Sequence, residues 1–152
     1  MVKWNSVIWI LGSIQMNLEV FIKRGLVKRS SQDFSLVKSI ISTSKLDIEF
    51  LNTLEISEVS ARKIMTNYYD VLRSLLEAMA AIEGYKIYSH EAFTFFLKEK
   101  KEDILAEKFD RFRKIRNKIN YYGKNISVNE VEENVKEIRK MIKEINKRLN
   151  KN

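Results

Sequence analysis

Arginines, asparagines and tyrosines crowd one stretch of the chain, FDRFRKIRNKINYYG, residues Phe109 to Gly123. On a helix whose core direction is Ile119, Arg116, Asn120, Arg113 and Asn117 lie at about 60°, 100°, 120° and 160°, all on one side. The fork of arginine and the amide of asparagine suit phosphate oxygens and base edges, whereas a solubilising face is served as well by lysine and glutamate. Tyr121 and Tyr122 close that side, Tyr122 also falling on the apolar stripe of the helix, and stacking on bases is a common use of rings in such a place. The chemistry expected is therefore recognition of a polyanion. Its competitor is a plain solvated face.

Charge placement favours the first reading. The formal net charge is +8, and Lys108 to Lys124 holds seven basic residues (Lys108, Arg111, Arg113, Lys114, Arg116, Lys118, Lys124) against the single acid Asp110. Residues 31 to 97 carry six basic and nine acidic side chains, so the positive potential is local, as expected for a nucleic-acid contact. His90, the only histidine, stands in YSHEAF. It reads as a hydrogen-bonded residue at a helix start, with a proton carrier as the sharper alternative. Asp70, Arg73 and Glu77 have the spacing of intrahelical ion pairs, and an acid such as Asp70 facing Arg116 would orient its guanidinium.

The elements that must hold these residues are helical. No proline and only four glycines occur in 152 residues, which argues against a turn-rich β fold. Apolar spacing predicts a helix over about Asn5 to Arg24 and a second over Phe34 to Leu54, separated by the linker LVKRSSQD. The third and longest is capped by Ser57 or Ser60 and stopped by Gly84, and a short fourth is capped by Ser89. A fifth runs from Asp103 to Gly123. The last begins at the capping box SVNE, Ser127 with Glu130. One apolar face per helix predicts an all-α, up-and-down bundle of five to six helices forming a single domain over residues 1 to 152.

Composition excludes other classes. Without cysteine there are no disulfides, thiolate nucleophiles or cysteine metal sites, and one histidine supplies no zinc or iron cluster, so no metal or cofactor is expected beyond the option of carboxylate-bound magnesium. Apolar runs reach five residues at most (Val7 to Leu11, Ala78 to Ile82), far short of the roughly 18 a membrane span requires. A soluble cytoplasmic protein is expected, with the opening MVKWNSVIWILGS as part of the first helix rather than a signal peptide. Trp4 and Trp9 suit either the core or a partner surface. Few glutamines and many charged residues fit a heat-adapted source.

RNKINYYG resembles the signature of the HEPN superfamily (higher eukaryotes and prokaryotes nucleotide-binding). That motif reads arginine, a polar residue, three or so further residues, then histidine. Arg116 and Asn117 match its first two positions and Tyr121 stands in the histidine position. The tyrosine-rich NYYDVLRSLLEAMAAIEGYK and the following SHEAF extend the similarity over about residues 60 to 124. The resemblance implies a catalytic set Arg116, Asn117 and Tyr121, with His90 as a candidate replacement for the missing histidine and Asp70 as support. Arg111, Arg113, Lys118, Asn120, Tyr122 and Lys124 would bind nucleic acid. It also implies a two-fold dimer, because residues five apart point about 140° apart on an ideal helix. The function implied is RNA or nucleotide binding with slow or lost metal-independent ribonuclease activity. Two alternatives are a partner module for a separate nucleotidyltransferase in a toxin-antitoxin pair, and a structural adaptor.

Overall fold

The structure is a computed structural model that describes residues 16–151. Its elements are α1 (Leu18–Lys23), β1 (Val27–Arg29), α2 (Phe34–Asn52), α3 (Ala61–Ile82), β2 (Tyr85–Ile87), α4 (His90–Glu99), α5 (Asp103–Tyr122) and α6 (Val128–Leu149). The expected all-α helical bundle is what forms, with one small addition. Strands β1 and β2 pair antiparallel, Val27 opposite Ile87 and Arg29 opposite Tyr85. The stretches read as a linker and a connection therefore hold a two-stranded sheet. Its Gly84 has φ +80°, and an added Cβ would sit 2.8 Å from the Ser30 carbonyl oxygen, so only glycine lets these backbones approach.

Helix α3 is the axis of the bundle. Ala61, Ile64, Tyr68, Tyr69, Leu72, Leu75 and Leu76 on it are buried, and α2, α6, α5 and α4 all pack against it. Aromatic residues close the far side: Phe93 meets Phe109 edge-on and Tyr69 stacks on Phe109. One contiguous apolar core results. Among the described residues no helix is long and apolar enough to cross a membrane.

The helix ends follow local chemistry. The Asp33 and Ser127 side chains accept from the backbone N–H groups of Leu36 and Glu130, capping α2 and α6. Ser60 and Ser89 occupy cap positions without making that bond. The expected first helix is corrected: Asn17 is extended and caps a new helix by accepting from the Val20 N–H, so no single helix runs from Asn5 to Arg24. Trp4, Trp9 and the remainder of that expectation lie outside the described residues. Gly123, at φ +60°, stops α5 just after the tyrosine pair.

Candidate nucleic-acid interface

The site is built where α3, α4 and the second half of α5 meet. Tyr69 on α3 is fully buried, and its hydroxyl lies 2.9 Å from Nδ1 of His90, the first residue of α4. The two rings also stack at 5.8 Å. On α5, the Arg116 guanidinium lies 5.8 Å from the Tyr69 ring and 5.8 Å from the Tyr121 ring, within cation–π reach of both. Four residues from three helices, Tyr69, His90, Arg116 and Tyr121, thus form one continuous cluster.

Among the described residues, Arg116 is a cation without an anion. Its Nε is buried without a hydrogen-bond partner, and among the described residues its one side-chain hydrogen bond is a long 3.4 Å bond to the Asn117 amide oxygen. A guanidinium has five donors, and burying even one of them unpaired costs free energy. An incoming oxyanion would offset that cost.

The neighbouring charges set the protonation states. Burial holds the Tyr69 phenol well above its usual range, and the charges of Arg116, Arg73 and Arg113 only partly counter this. Burial likewise lowers His90 to about 4, assisted by Arg73, Arg116 and Arg113. At neutral pH both groups are uncharged. The Tyr69 hydroxyl keeps its proton and shares a hydrogen bond with Nδ1 of the neutral imidazole. Burial raises the Asp70 carboxyl, with Arg73 and Arg116 pulling the other way. Asp70 feels Arg116 but does not pair with it, and Arg73 pairs with Glu77 at 3.3 Å.

The other expected residues divide into two groups. Arg113, only 15 % exposed at its side chain, gives Nε and one terminal nitrogen to Asp110, and Lys114 reaches the second oxygen of that carboxylate. Burial tends to raise the Asp110 carboxyl, but these hydrogen bonds bring it below the usual range. Arg111 is tied to Glu137 on α6. Lys118, Asn120 and Lys124 are exposed and make no ion pair or side-chain hydrogen bond among the described residues, and Tyr121 and Tyr122 are 71 % and 76 % exposed. The open cationic surface is therefore the end of α5 around Arg116, narrower than the full run of seven basic residues.

Two sequence expectations change. Arg116 and Tyr121 touch within one chain, because the long arginine side chain swings to the tyrosine near the helix end, so their convergence does not require a second protomer. Tyr69, which stands outside the expected site, joins His90 to Arg116. Only its place in NYYD, one residue before Asp70, marked it. Among the described residues no three His, Asp or Glu side chains gather to hold a metal ion. No family model, curated protein or solved structure matches the chain.

Proposed function

We propose that the protein is a HEPN-like RNA-binding protein in which Arg116 seats a backbone phosphate and the exposed Tyr121 and Tyr122 stack against bases. The observation that carries this reading is a half-buried arginine, without an ion pair among the described residues, joined through Tyr69 to the only histidine of the chain. Lys118, Lys124 and Asn120 extend the cationic and polar surface along the strand. His90, held at Nδ1 by the Tyr69 hydroxyl, feels the Arg116 charge and borders the same phosphate.

Cleavage of RNA at this site would run as an attack of the 2′-oxygen on phosphorus. The 2′-proton is lost, the 5′-oxygen leaves with a proton, and a 2′,3′-cyclic phosphate remains. Arg116 stabilises the added charge on phosphorus. Proton transfer is the weak step, because efficient acid–base groups titrate near the working pH. His90 sits at about 4 and Tyr69 far above neutrality. Binding with slow cleavage follows.

The test is a mixed RNA pool incubated with the protein in chelator, beside Arg116→Ala. Salt-sensitive binding lost in the variant supports the reading, and slow cleavage lost with it adds the ribonuclease. Equal RNA binding by both forms overturns it. Binding without cleavage moves the weight to a regulatory module that pairs with a separate nucleotidyltransferase, its protomers arranged as a two-fold dimer.

A further inference from the structure

A second surface lies away from the Arg116 site. Helices α2 and α6 both pack on α3 and make few contacts with each other. Between them runs a groove of about 670 Å³. On α2 its wall includes Ile41, Lys45 and Ile48; on α6 it includes Arg139, Ile142 and Lys143. Both sets recur at spacings of three and four, so each helix presents a continuous stripe. From Ile41 to Asn52 the stripe is about 16 Å long, three helical turns.

One end of the groove is anchored from below. The hydroxyl of the buried Tyr68 donates to the Asn52 side-chain oxygen at 2.7 Å and accepts from two nitrogens of Arg139 at 3.1 and 2.8 Å. Arg139 is thereby fixed in place, yet it has no carboxylate partner among the described residues, and neither do Lys45 and Lys143. Glu49 is the single acid among these walls. The result is an isoleucine floor with a cationic rim.

We propose that this groove is the docking site for an acidic amphipathic helix of another protein. A helix laid between two helices on a common support buries its apolar face against Ile41, Ile48 and Ile142. Its flanking carboxylates meet Lys45, Arg139 and Lys143. Charge sets this occupant apart from residues 1 to 15 of the chain itself, which contain Lys3 and no acid and so do not complement the rim. A second copy would have to bring a comparably basic groove against it.

The experiment uses the full chain and two labelled designed peptides of about three helical turns. They share leucines at i, i+3, i+4 and i+7, and carry glutamates on the flanks of one and lysines on the other. Fluorescence anisotropy should show the glutamate peptide binding with a Kd on the order of 10 µM and the lysine peptide at least about tenfold weaker. Added salt should weaken the first. The double variant Lys45→Glu and Lys143→Glu, two exposed positions, should reverse the preference while its circular dichroism melt stays unchanged. RNA binding by this variant should match the parent, which separates the groove from the Arg116 site. Equal affinity for the two peptides overturns the proposal, as does no binding of either. Concentration-dependent self-association that the double variant abolishes also overturns it, by giving the groove to a second copy.

Discussion

Arg116 and Arg148 are both half-buried arginines at helix–helix seams, yet their surroundings differ in the one respect that matters. Arg148 near the end of α6 holds Glu102 through two nitrogens and also Glu144, at the seam between α6 and the start of α5. Burial works against its charge, but these two carboxylates more than restore it. Arg116 at the other end of α5 has aromatic faces and an asparagine amide in place of carboxylates. An arginine paired with acids closes a structure. An arginine left among π faces and a neutral acceptor is electrostatically unfinished, and a bound anion would complete it.

Substituting the two arginines separates the roles, and the largest effect is expected here. Arg116→Ala should weaken RNA binding about 10- to 100-fold, the scale of one or two charge-assisted hydrogen bonds to phosphate, and should leave the melting temperature unchanged or slightly raised. Arg148→Ala should leave RNA binding intact. It should lower the melting temperature by roughly 2–4 °C, as expected for about 1 kcal/mol in a chain of this size. Gel-shift titrations and thermal melts on both variants check the pair of outcomes; matching losses of binding would erase the distinction.

A gain of function sharpens the same contrast. Tyr121 has an exposed ring against Arg116 and stands where the resembling motif has histidine. Tyr121→His should place a group with a pKa near 6.5 there and raise metal-independent cleavage about tenfold or more, read on a fluorogenic RNA in chelator. An unchanged rate would detach Tyr121 from the chemistry. A smaller effect is expected from Tyr69→Phe, which keeps the stacking with His90 and Phe109 but removes the hydroxyl that fixes the imidazole. RNA affinity should fall about two- to fivefold, the worth of one neutral hydrogen bond.

Most of the bundle was legible because helices announce themselves locally. The Ser127 cap, the Gly84 and Gly123 stops and the stripe Ile64, Tyr68, Leu72, Leu75 are patterns within a few residues. The sheet was not legible. Its two strands are three residues each and pair across some 55 residues of intervening chain, which no local period reveals. In the site, the pairing of Asp110 with Arg113 and Lys114 was readable from i,i+3 and i,i+4 spacing and subtracts two cations from the expected surface. The link from His90 to Arg116 was not readable, because it runs through Tyr69 on a third helix and depends on how α3, α4 and α5 pack.

The smallest predicted effect is also the most local. His90 is the only histidine, so its ring protons give a single resolved pair of NMR resonances, and their titration midpoint should lie near 4 rather than 6.5. Between those values the unfolded chain binds a proton that the folded one does not, so this residue makes the fold less stable as pH falls from about 6.5 toward 4. Asp70 acts in the opposite sense, since burial raises its carboxyl and its protonation favours the folded state. Asp110, held low by Arg113 and Lys114, shares the sign of His90 by a different route: on protonation in acid it loses the charge that pairs it with those two cations. The difference between parent and His90→Gln melts across pH 4 to 6.5 isolates the histidine. A phosphate seated on Arg116 places negative charge beside the imidazole, so bound oligonucleotide should move the midpoint upward and affinity should rise as the solution is acidified toward it. At Arg148, where the carboxylates are already in place, RNA should change nothing. A His90 midpoint unmoved by saturating RNA would mean that the phosphate is not seated at Arg116.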